Sequence, residues 1–301
     1  MKVLVLGAGG VGGYFGAKLA VAGNEVTFVA RGAHLAALRA QGGIVVHGAH
    51  GEWRAAAEAV EEPADAGSKI DLALLAVKAR DHAAAMDLLY PVVEPTGSGT
   101  TVLNLQNGID LHESLYERFG PAVLWGSARI GAGIAAPGVI DHVALGDVVL
   151  GEPAGGASAR AAGVARLFEA AGVGCTVSEE IRRDLWIKLT WNAAFNAVGA
   201  LAGKTVGACV ESPPLRALLV DAMREAIAVA RAEGVDLPDE TADAMLAFSA
   251  AIGAVKTSML QDRLRGAATE HELLGGSVVR RGAAHGVAAP VLATLTRLLS
   301  S

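Results

Sequence analysis

The sequence predicts an α/β protein, with a doubly wound, largely parallel sheet domain over residues 1–177 and an all-helical second domain over residues 178–301. Three observations predict this class. A glycine-rich turn joins an apolar run to a helical pattern near the amino terminus. Short apolar runs then alternate with helical segments, and past residue 177 every long segment has helical periodicity. A chain of 301 residues, 52% of them hydrophobic, is large enough for two cores.

The glycine-rich turn lies between two predicted strands, residues 3–6 and 25–29, and opens a helix. Its sequence is Gly7-Ala8-Gly9-Gly10-Val11-Gly12. In this context Gly7 permits a tight turn, Gly9 lets the backbone approach a pyrophosphate, and Gly12 lets helix and strand pack closely. The pattern therefore favours a Rossmann-type dinucleotide-binding unit over a glycine-rich turn without a ligand.

The residue that follows the second predicted strand indicates which dinucleotide is bound. NAD-binding units usually carry Asp or Glu there, where the carboxylate binds the ribose 2′-hydroxyl. This chain has Arg31 instead. Because a guanidinium can hold a 2′-phosphate through paired hydrogen bonds, the sequence favours NADPH over NADH as cofactor. The alternative is an ordinary solvated arginine at the start of the next helix.

The remaining elements of the first domain follow from apolar runs and turn residues. Further strands are predicted at residues 44–46, 70–77 and 100–105, helices at 32–38 and 81–89, and a loop at 95–99. The next predicted elements are antiparallel strands joined by Gly, Pro and Asp turns, at residues 122–130, 139–142 and 148–150. A helix and a strand complete the domain, at residues 159–171 and 173–177.

Two polar residues directly follow predicted parallel strands. Lys78 ends the strand at 70–77, and Asn107 follows the strand at 100–105. Because ligands of doubly wound sheets lie outside the carboxyl ends of the strands, both are candidate binding residues. The alternatives are a solvated lysine for Lys78 and a simple Asn-Gly turn at Asn107.

The second domain is predicted to consist of helices. Ser178 is suited to cap the first, which is predicted to end near residue 203. Thr269 followed by Glu272 matches a capping box, so another helix is predicted to start there with Glu270 at its first position. The Glu270 carboxylate would then be available for chemistry, the alternative being an ordinary surface glutamate. Further helices are predicted at residues 212–234, 238–251 and 290–299.

A polar stripe runs along the first helix of this domain. Lys188, Asn192 and Asn196 are spaced four residues apart, so they cover about 80° of one face. Apolar residues occupy more than one other side of the helix, which indicates burial. Unpaired buried amides and amines cost roughly 1–3 kcal/mol each, and a substrate pocket would supply partners. The alternative is a solvated face.

Composition and charge argue against several function classes. The formal charge of −6 and the lack of a Lys/Arg-rich run argue against a nucleic-acid partner. No apolar run reaches membrane-spanning length, and Met1-Lys2 leaves no room for a signal peptide before the first strand. Cys175 and Cys209 lack CxxC spacing and no HExxH motif occurs, so no metal site is expected. We expect a soluble, cytoplasmic protein.

Taken together, these residues resemble a known family over nearly the whole chain. The motifs that carry the resemblance are the glycine turn, Arg31, Lys78, Gln106-Asn107-Gly108, the Lys188/Asn192/Asn196 stripe, and Ser258-Met259-Leu260-Gln261-Asp262 with Thr269-Glu270. In this order and at these spacings they are similar to ketopantoate reductases (2-dehydropantoate 2-reductases). The segment that starts at Ser258 is the most specific of them.

The resemblance implies NADPH-dependent reduction of 2-dehydropantoate to pantoate, on the route to pantothenate and coenzyme A. By the same match, Lys188 corresponds to the catalytic lysine and Glu270 to the catalytic-site glutamate. The implied substrate contacts are Asn107, Asn192, Asn196 and Ser258. The implied cofactor contacts are the glycine turn, Arg31, Lys78 and Asn107.

Several positions depart from the family pattern. Asp81 stands where some members carry Gln, and residues 204–208 lack a substrate-binding asparagine found in others. The Thr-Glu-Ile-Asp motif reads Thr-Glu-His-Glu at residues 269–272, and an expected Asn-Gly is Gly275-Gly276. These differences affect the pocket more than the hydride machinery, so they bear on which 2-oxo acid is bound.

The expected chemistry is reduction of a ketone by hydride from the cofactor, with Lys188 as hydrogen-bond and proton donor to the carbonyl oxygen. The partners considered are a small 2-oxo acid substrate and a second copy of the chain in a homodimer. A related NADP-dependent 2-oxo or 2-hydroxy acid oxidoreductase is a second hypothesis. A non-catalytic NADP(H) sensor is a third, and the presence of both Lys188 and Glu270 argues against it.

Overall fold

The computed structural model describes residues 1–49, 51–67, 69–93 and 99–301, which form two compact units. The first unit comprises residues 1–106 and 111–181, and the second comprises residues 107–110 and 182–301. Sequence analysis placed the division after residue 177 and did not anticipate that residues 107–110 group with the second unit. Residues 95–98 of the predicted loop lie outside the described part of the chain.

Every strand of the described chain belongs to one mixed sheet in the first unit. The strands are β1 (Lys2–Leu6), β2 (Glu25–Val29), β3 (Gly43–Gly48), β4 (Gly51–Ala56), β5 (Glu58–Val60), β6 (Leu72–Leu75), β7 (Thr101–Asn104), β8 (Val123–Ala136), β9 (Val139–Gly151) and β10 (Cys175–Val177). Their order is β4-β3-β9-β8-β7-β6-β1-β2-β5, and β10 pairs with β9. From β8 to β5 all neighbours are parallel.

Strand β1 lies between β2 and β6, with Leu4 opposite Thr27 of β2 and Ala73 of β6. On one side of β1 the next strand in the sheet is β2. On the other side the neighbours are β6, then β7, then β8. The winding therefore reverses beyond the carboxyl ends of β1 and β6, which is where doubly wound sheets bind ligands. Leu4 and Val5 are fully buried, as expected for a central parallel strand. The predicted α/β class is confirmed.

Strands β8 and β9 form a long antiparallel hairpin with register shifts. Two separate strands were predicted at 139–142 and 148–150, and the structure has one strand there. Gly146, with φ of +136°, lies where the pairing skips a residue, since Arg129 opposes Asp147 and Ile130 opposes Leu145. The glycine that suggested a turn marks a bulge instead.

Two strands were not predicted from the sequence. Strand β4 (Gly51–Ala56) pairs only with β3 and is mostly exposed, so its sequence, Gly-Glu-Trp-Arg-Ala-Ala, has no clear apolar face. Strand β5 (Glu58–Val60) has only three residues and lies at the other edge of the sheet. Edge strands are often short and charged, which weakens the periodic signal on which strand prediction depends.

The helices of the first unit include one that was not predicted. They are α1 (Gly10–Val21), α2 (Gly32–Gln41), α3 (His82–Leu89), α4 (Asp110–Phe119) and α5 (Ala159–Ala170). Helix α1 ends just before Gly23, whose φ of +87° is typical of the position after a helix. The unpredicted helix, α4, buries His112, Leu115 and Phe119. Their spacing of three and four residues was a usable helical signal.

In the second unit all regular secondary structure is helical, as predicted. The helices are α6 (Ile181–Ala202), α7 (Val206–Glu211), α8 (Pro213–Ala232), α9 (Thr241–Ala251), α10 (Ser258–Leu264), α11 (Ser277–Ala284) and α12 (Pro290–Ser300). A π-helical turn, Glu272–Gly276, leads into α11. Across the residues that the structure describes, no helix combines the length and apolar character needed to cross a bilayer.

Two predicted helix caps are wrong. The Ser178 hydroxyl accepts a hydrogen bond from the Glu180 N–H at 3.0 Å, before α6 begins, so it closes a local turn rather than the first turn of the helix. The capping box is also absent, because the Thr269 hydroxyl pairs with the His271 ring. The Glu272 carboxylate binds a guanidinium of α11. Other hydrogen-bond partners thus occupy the three side chains that the predicted caps require.

A buried network joins the carboxyl ends of β6 and β7. The Gln106 amide donates to the Val77 carbonyl at 3.0 Å, and its oxygen accepts from His82 Nδ1 at 2.7 Å. His82 Nε2 then lies 2.8 Å from the Ser114 hydroxyl of α4. Because the Gln106 oxygen can only accept, His82 Nδ1 carries a proton. Burial lowers the pKa of His82, which agrees with a neutral imidazole.

The neutral state of His82 predicts a loss of stability in mild acid. Below about pH 6.5, the unfolded chain binds a proton at this histidine, whereas the folded protein does not until its lower pKa is reached. The free energy of unfolding should therefore fall as the pH drops through this window, by up to roughly 1.4 kcal/mol per pH unit from this group. Urea denaturation at several pH values between 5 and 8 measures the free energy of unfolding and its slope with pH.

The comparison variant is His82→Gln, which should reduce that slope because it removes the buried imidazole. An identical slope in the wild type and in His82→Gln would contradict the assignment of a buried neutral His82.

Candidate active site

The glycine turn follows β1 at the point where the winding of the sheet reverses. Gly7 has φ of +98°, and a Cβ there would lie 2.8 Å from the Ala76 carbonyl carbon at the end of β6. A Cβ on Gly12 would collide with the Gly7 carbonyl oxygen, and one on Gly10 with the Ala132 carbonyl oxygen. No residue other than glycine fits these positions without backbone movement. Gly7 and Gly12 thus have the tight-turn and close-packing geometry on which the prediction depended.

Gly9 differs from the other glycines of the turn. Apart from the adjoining backbone, no atom of the described residues lies within 4 Å of the position that a Cβ would take on Gly9. Gly9 also precedes α1, and no side chain caps the helix. The amino end of α1 therefore presents N–H groups beside an open space, an arrangement that suits a pyrophosphate. The remaining two residues of the motif are Ala8, which is buried, and Val11, which packs against the core.

His34 of α2 holds the glycine turn, and sequence analysis missed it. Its Nε2 donates to the Ala8 carbonyl oxygen at 2.8 Å, and its Nδ1 accepts from the Gly138 N–H at 3.0 Å, in the turn between β8 and β9. Burial lowers the pKa of His34, in agreement with a neutral ring that both donates and accepts. A single histidine with no nearby motif gives no sequence signal for this role.

The predicted cofactor residues Arg31 and Lys78 follow β2 and β6, the neighbours of β1. Arg31 is 63% exposed, and its Nη2 lies 3.3 Å from Asp81 Oδ1. Lys78 is exposed, and its carbonyl oxygen accepts from the Asp81 N–H at 2.9 Å. Both cationic side chains therefore lie at the carboxyl edge of the sheet, on either side of the strand that leads into the glycine turn.

In the second unit, the polar stripe of α6 is largely buried. Asn192 is 7% exposed and Asn196 is 2% exposed, so the alternative of a solvated face is wrong for these two residues. Asn196 Nδ2 donates to Asn192 Oδ1 at 3.3 Å. Lys188, one turn before Asn192, is half-buried. The stripe thus joins a lysine to two hydrogen-bonded amides along one helix.

Several polar atoms of α6 are buried without a hydrogen-bond partner in the described protein. They are Asn196 Oδ1, Thr190 Oγ1 and Trp186 Nε1. Buried polar groups are rarely left unsatisfied, because each such group loses its interactions with water. The Asn196 oxygen belongs to the predicted substrate site, so a ligand hydroxyl is a chemically suitable partner for it.

The loop at residues 107–110 lies against the π-helical turn within the second unit. A Cβ on Gly108 would lie 2.8 Å from Leu273 Cδ1. The Arg280 guanidinium contacts both Asp110 Oδ2, at 3.4 Å, and Glu272 Oε2, at 3.0 Å. Asn107, which is half-buried, is therefore in a loop held beside the segment that follows Glu270.

The same loop is anchored by a second arginine. Arg281 Nε and Nη2 bind Asp110 Oδ1 at 2.9 and 2.6 Å, and its Nη1 binds both carboxylate oxygens of Glu233 at 2.8 and 3.0 Å. Arg182 adds a further contact to Glu233 at 2.9 Å. Arg281 and Glu233, which have little exposure, are held in place by several charge-assisted bonds. Sequence analysis named none of these residues.

Glu270 is half-buried and directly precedes the helical segment, so its predicted place at a first helical position is off by one residue. Its carbonyl oxygen accepts from the Leu274 N–H at 3.1 Å. The π-helical turn that follows is a rare geometry, often found at functional sites. Gly275 lies within it, and a Cβ there would be 2.8 Å from Thr296 Oγ1. The glycine that replaces the family's asparagine is therefore tightly enclosed.

Ser258 is the first residue of α10 and is exposed. The preceding Thr257 caps the helix, since its hydroxyl accepts from the Leu260 N–H at 3.3 Å. Thr257 also lies 3.7 Å from the position that a Cβ would take on Gly199, one turn after Asn196 in α6. The start of α10 is thus close to α6 at Gly199.

Each unit brings together part of the predicted site. The first gathers the glycine turn, Arg31 and Lys78 at one edge of the sheet. In the second unit, one group consists of the α6 stripe, with the start of α10 close to its end, and the other consists of the loop containing Asn107 with the segment after Glu270. The arrangement offers an anion-binding helix end, two cationic side chains, and a lysine followed by buried amides.

Comparison with known proteins identifies the family. Residues 3–155 match the family model described as "Ketopantoate reductase PanE/ApbA", and residues 180–301 match "Ketopantoate reductase PanE/ApbA C terminal". A relative from Mesorhizobium japonicum, named 2-dehydropantoate 2-reductase, is 34% identical over 94% of this chain and 91% of its own.

Solved structures support the same family assignment. A PanE/ApbA family ketopantoate reductase from Ralstonia eutropha JMP134 is 34% identical, covers 100% of this chain and 97% of its own, and superposes with a TM-score of 0.90. A D-mandelate dehydrogenase in ternary complex with NADH and anilino(oxo)acetate is 25% identical with a TM-score of 0.89, over 100% of this chain and 97% of its own. The resemblance predicted from the sequence is confirmed, and the chain belongs to the ketopantoate reductase PanE/ApbA family of pyridine-nucleotide-dependent oxidoreductases.

Proposed function

We propose that this protein catalyses the NADPH-dependent reduction of 2-dehydropantoate to pantoate, a step toward pantothenate and coenzyme A. The observation that carries the proposal is the buried Asn192–Asn196 pair in the same helical stripe as Lys188, in which the Asn196 oxygen has no hydrogen-bond partner among the described residues. Such a stripe fits a small polar ligand that has hydroxyl and carbonyl groups. The name of the Mesorhizobium japonicum relative supports the choice of substrate.

The glycine turn and Arg31 are the proposed cofactor contacts. The uncapped amino end of α1, with open space at Gly9, suits the pyrophosphate. Arg31 is proposed to bind the 2′-phosphate, and Lys78, beside the neighbouring strand, and Asn107 are further proposed cofactor contacts. When bound, NADPH supplies a hydride to the 2-oxo carbon of the substrate.

Lys188 is the proposed proton donor. As an ammonium it donates a hydrogen bond to the substrate carbonyl oxygen and stabilises the negative charge that develops there. Transfer of its proton then completes the alcohol. Because Lys188 is half-buried, its interactions with the substrate are screened less than those of a surface lysine.

Uncharged donors and one carboxylate are proposed to orient the substrate. Amides of Asn107, Asn192 and Asn196 can donate to the substrate carboxylate or accept from its hydroxyl, and the Ser258 hydroxyl can do either. Glu270 is proposed to accept from a substrate hydroxyl or to stabilise the charged form of Lys188. Positioning by several such groups lowers the entropic part of the barrier.

A second candidate is a related 2-oxo or 2-hydroxy acid oxidoreductase with a different pocket. The structural similarity to D-mandelate dehydrogenase favours it. In this candidate the substrate side chain differs, whereas the hydride chemistry is unchanged.

The substrate proposal predicts a ranking of 2-oxo acids. The fall in NADPH absorbance should give the highest kcat/KM with 2-dehydropantoate, because its hydroxyl satisfies a buried amide that simple 2-oxo acids leave unpaired. Phenylglyoxylate, the 2-oxo acid that corresponds to mandelate, is the contrasting substrate. A higher kcat/KM for phenylglyoxylate would favour the second candidate instead.

Lys188→Ala should lower kcat by roughly 10² to 10⁴ because it removes the proton donor, and should leave the Kd for NADPH nearly unchanged. Stopped-flow turnover and fluorescence titration measure the two effects. Lys2→Ala is the control, since Lys2 pairs with Glu25 at the opposite, amino end of β1. A loss of kcat below threefold would refute the assigned role of Lys188.

Arg31→Ala should raise the Kd for NADPH by roughly tenfold, the equivalent of one charge-assisted contact, and leave the Kd for NADH unchanged. Fluorescence titration of both nucleotides measures this. Arg39→Ala, in the same helix region, is the control, because Arg39 donates to the Ala59 carbonyl at the outer strand. Equal weakening of both nucleotides by Arg31→Ala would argue against 2′-phosphate binding by Arg31.

A further inference from the structure

A carboxylate contacts Arg31, the residue proposed to bind the 2′-phosphate. Asp81 Oδ1 lies 3.3 Å from Arg31 Nη2, and Asp81 Oδ2 lies 3.6 Å from Nε of its chain neighbour Arg80. The Asp81 backbone N–H donates to the Lys78 carbonyl, which closes the short turn after β6. This turn fixes the carboxylate beside the end of β2, where Arg31 is located.

The ion pairs of Asp81 are accessible to a ligand. Arg31 is 63% exposed, Arg80 is 70% exposed and Asp81 is 32% exposed. Exposed pairs of this kind contribute little to folding, since water competes for both partners and side-chain entropy is lost. The contact between Arg31 and Asp81 can therefore be exchanged for another anion at small cost.

The two possible occupants of this position affect Asp81 in opposite ways. A 2′-phosphate carries a charge close to −2, so it is repelled by Asp81 and competes with it for the same guanidinium. A ribose 2′-hydroxyl is a hydrogen-bond donor, and a carboxylate accepts from it. Asp81 therefore disfavours the phosphorylated ribose and tolerates the free one.

We propose that Asp81 is a specificity-determining residue that competes with the 2′-phosphate of NADPH for Arg31, so that this protein prefers NADPH to NADH only weakly. The inference rests on the proposed role of Arg31 in cofactor binding. In this inference Asp81 weakens the binding of the 2′-phosphate by Arg31. It gives a role to the ion pair between Arg31, after β2, and Asp81, after β6.

The test is nucleotide binding to the intact protein without substrate. Fluorescence titration gives Kd values for NADPH and NADH with the wild type, Asp81→Asn and Asp87→Asn. Asp81→Asn preserves the shape of the side chain and should lower the Kd for NADPH about threefold to tenfold, leaving the Kd for NADH equal or higher. Asp87→Asn removes the same charge from an exposed residue of α3 that pairs with Arg118, and should change neither Kd.

Two further measurements test whether Asp81→Asn changes NADPH affinity through charge and through Arg31. The gain in NADPH affinity should shrink as salt is added, because exposed charges are screened. It should also be lost when Asp81→Asn is made together with Arg31→Ala. An unchanged or weaker Kd for NADPH in Asp81→Asn would overturn the proposal, as would an equal gain with and without Arg31.

The outcome separates this inference from the proposed function. If Arg31→Ala weakens NADPH selectively and Asp81→Asn has no effect, the cofactor assignment stands and the competition by Asp81 is refuted. If Arg31→Ala affects neither nucleotide, the assignment of Arg31 itself is refuted, and this inference is refuted with it.

Discussion

The close approach of backbones where β1 meets α1 is the constraint on which the first unit depends. Gly7 touches the end of β6, and Gly12 touches the Gly7 carbonyl, so neither has room for a Cβ. This contact sets the start of α1, and with it the direction in which the N–H groups of its first turn point. His34 reinforces the arrangement, since its ring joins the Ala8 carbonyl to the hairpin turn at Gly138. The geometry that suits an anion at this edge is thus a result of packing.

The fold class could be predicted because its signals are local. A buried parallel strand is a continuous apolar run, and the glycine turn has a strict spacing, so the βαβ unit was recognisable. Where signals were weak or shared, prediction failed. Strand β4 is exposed and charged, and Gly146, which suggested a turn, marks a bulge inside β9. The prediction of a capping box at Thr269 also failed, because its hydroxyl bonds to the His271 ring rather than to the backbone.

The candidate site was predictable to a similar degree and for the same reason. The stripe that contains Asn192 and Asn196 was visible as a helical spacing, and the burial of both amides agrees with that interpretation. Residues that act through contacts distant in sequence could not be found this way. Arg281 binds Asp110 across 171 positions of chain, and no periodic pattern relates them. Such partners become visible only when the packing of the helices is known.

The grouping of residues 107–110 with the helical unit has a consequence for how this architecture can recombine. The chain passes from one unit to the other after residues 106, 110 and 181, so the second unit is not a contiguous carboxyl-terminal half. A gene fusion that joined residues 1–181 of this protein to the helical part of a relative would keep Gly108 and Asp110 but replace Leu273 and Arg281. Functional chimeras therefore require the four-residue loop to be inherited together with the helices that hold it, which couples the evolution of two distant stretches of sequence.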